Sequence, residues 1–369
     1  MTNSSNPHLK RLILMLMCVL LILSAGAMTT TPAQTRAYVS NLDNGTVSVI
    51  DISTNTVIAT IPVGGGPFEV AITPDGTRAY VTNLGGFGFI SVIDTATNTV
   101  IETILNGLSP YATAFTPDGS KAYVTNLVSS RVFVVDTVTN AVIATVFVGF
   151  GPQGVAVTPD GTRVYVANDL SNNVSVIETA TNTVIATIPV GDFPYRLAIT
   201  PDGTRVYVAN SSDFSLSGTV SVIDTATNSV LTTIPAGFSP HGVAVAPDGT
   251  RVYVTNQGAT VTVIDTATNT AIATVTPFFV PQGVAVTPDS LRVYVANFGN
   301  NTVSVMDATT NSIIASIPVG SQPVGIAITP PAAPKNKDDC KNGGYTKFGP
   351  PLGPFKNQGQ CIKFVNEPD

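Results

Sequence analysis

From about residue 36 to residue 330 the chain is a succession of short apolar runs, each cut off by a turn signal. One unit reads P-x-G-V-A-V-T-P, then D-G-T-R-V-Y-V-A-N, then T-V-S-V-I-D, then T-A-T-N-T-V-I-A-T-I-P-V-G. The runs alternate and are rich in Val, Ile, Thr and Tyr, which suit a pleated, half-buried strand. PDG puts glycine where a tight hairpin needs a positive φ, and the D-T-A-T-N-T loop carries a turn-tolerant Asn late in its course. The pattern predicts an all-β chain of four short strands per unit.

The unit recurs. Its most regular phrase is RAYVSN at Arg36, RAYVTN at Arg78, KAYVTN at Lys121, RVYVAN at Arg163, Arg205 and Arg292, and RVYVTN at Arg251. The tyrosines (Tyr38, Tyr80, Tyr123, Tyr165, Tyr207, Tyr253 and Tyr294) lie 41 to 46 residues apart. Seven copies at that period signal a propeller or a similar array. The small residues of GVAV suit a crowded innermost strand. Pro62, Pro189, Pro235 and Pro318 in the IATIP run suit an outer edge, where a missing N–H is tolerated. The order from axis to rim is then GVAV, YVAN, VSVID, IATIP. The first copy begins at its second strand, with Ala37, and a lone inner strand, Gly325 to Thr329, follows the last. Pairing of the two would close a seven-bladed ring and leave no edge. The expected array spans residues 37–330, after a short segment at 28–36 and before a Pro-rich linker at 331–339.

Composition changes the picture at the two ends. Lys10 and Arg11 precede an unbroken apolar run, Leu12 to Leu23, and Ala25-Gly26-Ala27 follows. The run is shorter than the eighteen or so residues a spanning helix needs, so residues 1–27 read as a secretory signal peptide. No membrane span is expected after its removal. Cys340 and Cys361 remain as an even pair in a small C-terminal module, 340–369, and a disulfide is the natural reading in an oxidising compartment. Closing a loop of that size contributes roughly 3 kcal/mol in the chain-entropy picture. The chain is acidic, with net charge −6 and pI near 4.8, so a nucleic-acid partner is not expected.

The YVTN/YVAN units resemble the YVTN family of β-propeller repeats of surface-layer and secreted proteins, over residues 37–330. The resemblance implies an extracytoplasmic seven-bladed propeller with a surface or interaction role. Related propellers include lactonase-like hydrolases and redox subunits, so the fold leaves function open. The tail DCKNGGYTKFGPPLGPFKNQGQCIKF resembles a two-cysteine module that ends various secreted bacterial proteins. That implies export and a disulfide-closed hairpin.

Subtracting the repeat isolates what differs between blades. The PDG and DTATNT turns fall on one face and are nearly constant. The loops on the other face read LDNG, LGGFG, LVSS, DLSNN, SSDFSLSG, QGA and FGNN. Repeat proteins commonly bind through the face where units differ. Thirteen of the 23 acidic residues and seven of the 17 basic ones belong to the repeat near the constant face. Turn hydrogen bonds and modest surface ion pairs are expected of them, and no turn gathers the oxygens of a calcium site. Arg131 and Arg196 stand outside this pattern. The variable face carries Asp43, Glu69, Asp169, Asp192 and Asp213, and many of the aromatics: Phe68, Phe87, Phe89, Tyr111, Phe150, Phe193, Tyr195, Phe214, Phe238, Phe278, Phe279 and Phe298. Aromatic surfaces with few charges favour partner binding.

One residue per blade follows the first proline of the inner strand and should ring the channel mouth: Phe68, Tyr111, Gln153, Tyr195, His241, Gln282 and Val324. Glu69 and Arg196 lie one place further on, three blades apart. This ring is the candidate small-molecule site. His241 could line it, pack as a bystander, or act as an acid–base group. A hydrolase needs a base oriented by a partner, or a metal with three protein ligands, and this ring offers one histidine and few carboxylates. With no CxxCH and no histidine cluster, no cofactor and no metal are expected. The leading reading is a secreted or cell-surface scaffold that binds a protein or glycan through its variable face. The alternatives are a lactonase-like hydrolase at the channel mouth and a structural surface-layer component.

Overall fold

The computed structural model describes residues 35–86, 88–104, 109–212 and 217–331. The expected leader, the linker beyond Pro331, the Cys340–Cys361 module, and Phe87, Asp213 and Phe214 lie outside these residues. The described chain is all-β, in seven four-stranded antiparallel sheets. In the fourth blade the strands are Pro152–Val157, Arg163–Asn168, Asn173–Glu178 and Thr183–Pro189, hydrogen-bonded in that order. Blades 2 to 7 repeat this plan in chain order. In blade 1 the inner strand is Pro323–Ile328, paired antiparallel with Arg36–Asn41.

Burial follows strand position. The second strands are sealed along their length, and all seven repeat tyrosines are at most 1% exposed. The outer strands keep exposed apolar residues such as Ile58, Ile101 and Ile185; three of them end on Pro62, Pro189 or Pro318, and a fourth, Ser229–Phe238, contains Pro235. The core is a set of clusters, each shared by two adjacent blades. Tyr165 and Val176 of blade 4, for example, pack with Leu197 and Val206 of blade 5.

Each letter of the repeated phrase has a physical task. The arginine reaches across to the next blade: Arg36 Nη1 donates to the Thr95 carbonyl at 2.8 Å and Arg78 to that of Thr137 at 3.0 Å. Arg163, Arg205, Arg251 and Arg292 make the same bond to Thr225, Thr266, Ala308 and Ile52. These arginines thus bond the neighbouring blade's backbone, a contact that the repeat pattern alone does not show. The tyrosine hydroxyl donates to the turn asparagine of the next blade: Tyr38 to Asn98 at 2.8 Å, Tyr80 to Asn140 at 2.6 Å, Tyr123 to Asn182 at 3.0 Å. Tyr165, Tyr207 and Tyr294 do likewise with Asn228, Asn269 and Asn55. These turn asparagines, like the PDG glycines, adopt positive φ; Asn98 is at 54° and Gly161 at 71°.

The last two letters act nearer the axis. The threonine hydroxyl of YVTN bonds the neighbouring inner strand, from Thr82 to the Tyr111 carbonyl and from Thr125 to that of Gln153. Where the phrase reads YVAN, at Ala167, Ala209 and Ala296, that hydroxyl is missing. The final asparagine ties its own blade together; Asn168 Nδ2 donates to Asn173 and Ser175. At the turns, aspartate side chains accept from nearby Thr or Ser. Backbone and hydroxyl donation from Thr97, for instance, holds Asp94 below its usual pKa.

The tyrosine clasp is broken at one interface. Tyr253 Oη and Asn311 Oδ1, the corresponding pair of blades 6 and 7, are both buried without partners. Tyr207→Phe should therefore lower the unfolding free energy by about 1 kcal/mol, by leaving Asn269 short of a donor. Tyr253→Phe should be neutral or slightly stabilising. Equal losses in denaturant titrations of the two variants would contradict this assignment.

Candidate functional site

Every inner strand opens with a proline and then a register shift against its second strand. In blade 4 Pro152 pairs with Asn168 and Val155 with Val166, so Gln153 and Gly154 form a β-bulge. The same shift recurs in the other six blades. A bulge re-aims side chains, and here it sets the ring residues at the channel mouth. Glycine dominates the second bulge position because neighbouring inner strands touch there. A Cβ on Gly242 would stand 2.4 Å from the Gln282 carbonyl oxygen, and one on Gly325 2.6 Å from that of Phe68. Glu69 and Arg196 are departures from this glycine rule.

The structure brings these two together. Arg196 Nη1 forms an ion pair with Glu69 Oε2 across the channel, although they belong to blades 2 and 5. The side chains are 13% and 20% exposed respectively. The guanidinium carbon lies 5.6 to 5.7 Å from the ring centres of Phe68, Tyr111 and Tyr195, within cation–π range. The aromatics also meet one another. Phe68 packs on Tyr111 at 4.6 Å, Tyr111 meets Tyr195 edge-on at 6.1 Å, and their hydroxyls share a hydrogen bond. His241 lies on the other flank of Tyr195, 3.7 Å between ring centres. The ring expected at the channel mouth is a plug in which four blades contribute contacting side chains.

Burial sets the electrostatics of the plug. His241 is 5% exposed; burial and then the nearby Arg196 charge push its pKa well below the usual histidine value, so it is neutral at pH 7. Burial raises the Glu69 pKa and outweighs the opposing pull of Arg196. Burial likewise lifts both tyrosines, Tyr111 well above its ordinary value. Gln153 hydrogen-bonds Asp169, whose pKa burial raises, but its own Oε1 is buried without a partner. Below the plug lies a cavity of about 110 Å3, lined in part by Glu69, Arg196, His241 and Gln282.

Acid–base catalysis asks for a base held by an orienting partner. His241 is held by stacking on Tyr195, and the Glu69 carboxylate is taken up by Arg196. Among the described residues no group of three His, Cys, Asp or Glu side chains is placed to hold a metal ion.

The aromatics of the variable face divide. Phe150, Phe193, Phe238 and Phe279 are 69%, 39%, 39% and 51% exposed. Phe278 turns inward instead, 1% exposed, into the core shared by blades 6 and 7. Its N–H bonds the Ala259 carbonyl, just as Val190 in blade 4 bonds Asn172, so it takes the place of the valine in I-P-V-G. Aligning T-V-T-P-F-F with A-T-I-P-V-G would have found this. Arg131 lies against Phe147, 4.7 Å from the ring centre.

Residues 170–343 match the family model of the Choice-of-anchor I domain. No curated protein matches the chain. Among solved structures, a functionally unknown protein from Desulfotomaculum acetoxidans DSM 771 is similar over 80% of this chain and 99% of its own, with TM-score 0.70 and 19% identity. Kuenenia stuttgartiensis hydrazine synthase aligns over 70% of this chain and 88% of its own, with TM-score 0.65 and 24% identity. Dihydro-heme d1 dehydrogenase NirN, in complex with DHE, aligns over 84% and 78%, with TM-score 0.63 and 16% identity. What is shared is the fold.

The buried histidine gives a test by pH. Its folded pKa lies below its unfolded one, so the unfolded chain binds the extra proton and stability falls as pH drops below about 6.5. Glu69 titrates with the opposite sign, in wild type and variant alike. His241→Phe should therefore remove a slope of up to about 1.4 kcal/mol per pH unit between about pH 6 and 5. Parallel stability curves for wild type and variant would contradict a buried, neutral His241.

Proposed function

We propose that the chain is an extracytoplasmic, cell-surface β-propeller scaffold that binds a protein or glycan partner through its variable face. The observation that carries this reading is the placement of Phe150, Phe193, Phe238 and Phe279. They occupy the same loop, just before the inner-strand proline, in four consecutive blades, 4 to 7, and all are exposed. Single exposed apolar residues need no explanation, but a crescent of aromatics in one repeated loop is the kind of surface a partner covers. The corresponding loops of blades 1 and 2 carry Ser321-Gln322 and Gly65-Gly66. The crescent therefore marks one side of the face.

The chain's path supports an outward-facing crescent. Arg36 and Thr329 exchange hydrogen bonds at the constant face, where Pro330 lies against Gly76 of a PDG turn. A tether at either end of the described unit would thus leave the variable face free. The match to a family named for its anchor supports a cell-surface placement. The secretory leader, ring closure by the C-terminal strand, the Cys340–Cys361 disulfide and kinship with the YVTN repeats belong to the same reading. The channel-mouth ring of Phe68, Glu69, Tyr111, Gln153, Tyr195, Arg196, His241 and Gln282 enters this reading separately, as a small-molecule site.

The test is binding of the purified chain to separated protein and glycan fractions of the cell surface. A Phe150→Ser/Phe279→Ser variant should lose about tenfold or more in affinity while keeping the wild-type melting temperature. Unchanged binding in that variant, with loss on substituting constant-face residues such as Thr97 and Thr227, would overturn the reading.

A further inference from the structure

The cavity under the plug is polar and unfulfilled. His241, Gln282 and Thr113 line it, and all three are more than nine-tenths buried. Thr113 Oγ1 is buried without a hydrogen-bond partner, and the side chains of His241 and Gln282 line the same cavity. Arg196 spends Nη1 on Glu69 and lines the same space with donors to spare. A buried polar group left unpaired costs on the order of 1 to 3 kcal/mol, and the other polar side chains of this wall add capacity to hold an occupant.

The walls specify that occupant. Glu69 and Arg196 cancel in charge and His241 is neutral, so an ion of either sign would enter without a counter-charge. Arg196, Thr113, Gln282 and the imidazole N–H together supply more donors than acceptors, which favours a strong acceptor such as a carbonyl oxygen. The unprotonated imidazole nitrogen and the Gln282 carbonyl can take an N–H in return. Val155, Leu197, Val284 and Ile326 line the cavity too and suit a short hydrocarbon body. A volume of about 110 Å3 holds roughly three or four waters, or one molecule of about six heavy atoms at protein packing density. Past the cavity, Ile72, Val157, Ile199 and Val245 of the inner strands are partly exposed, so the way in lies from the constant face.

We propose that this cavity is a binding site for a small uncharged carbonyl compound of the amide or lactam class. The site is distinct from the phenylalanine crescent, and its test is independent of partner binding there. The probes are 2-pyrrolidone and propionamide, with butyrate and n-butylammonium as charged counterparts of similar size, followed by thermal shift and ligand-observed NMR on the full chain. The two neutral amides should bind wild type, and a Thr113→Val/Gln282→Leu variant should bind them at least tenfold more weakly. The charged pair should bind at least tenfold more weakly than the amides. Binding by none of the four leaves a cavity that holds water only and overturns the proposal. So does equal binding of a charged probe, or unchanged amide binding in the double variant. If that variant does not fold, a wild-type crystal soaked in 2-pyrrolidone decides: density inside the cavity supports the site, and an occupied surface with an amide-free cavity refutes it.

Discussion

Everything in this ring depends on one blade holding the next at the constant face. A four-stranded sheet cannot bury both of its faces alone, so each blade's stability is borrowed from its neighbours. The arginine-to-carbonyl and tyrosine-to-asparagine bonds fix the distance and angle at which that borrowing occurs. Both depend on turn geometry, since the receiving asparagine must sit at positive φ to present its side chain. The constancy of R-x-Y-V and D-T-A-T-N is thus one mechanical requirement read in two places.

With the blades clasped at one face, the other is released. There the loops change length and content without disturbing the ring, and exposed phenylalanines stand on four consecutive blades. The channel mouth is intermediate between these extremes. The bulge after each inner-strand proline is invariant in geometry but free in identity at its first position. Phe68, Tyr111, Tyr195 and His241 use that freedom to meet one another, and Glu69 and Arg196 fix the plug with a charge pair. Such a pair is weak evidence for stability, because desolvation opposes it, but it sets which side chains can share the channel.

Periodicity made much of this legible. The tyrosine spacing gives seven units, the outer prolines mark the rim strand, and the PDG and DTATNT turns carry their positive φ at the expected residues. The ring positions follow from counting past each proline. What periodicity cannot supply is distance across the axis. Glu69 and Arg196 are 127 positions and three blades apart, and only the narrowness of the channel joins them. Nor does it show where a long side chain ends: the arginines near the constant aspartates reach past the surface to the next blade's carbonyls. Phe278 reads as a loop aromatic until its strand is aligned with I-P-V-G, when it becomes a core residue.

The central claim is that the constant face welds seven unequal blades into one cooperative body. Native-state hydrogen exchange on the second strands measures this directly. The account predicts that amides of Tyr38, Tyr80, Tyr123, Tyr165, Tyr207, Tyr253 and Tyr294 exchange through a single opening with one common free energy and one denaturant dependence. Blade-by-blade openings with separate free energies, or a gradient from one end of the array to the other, would contradict it.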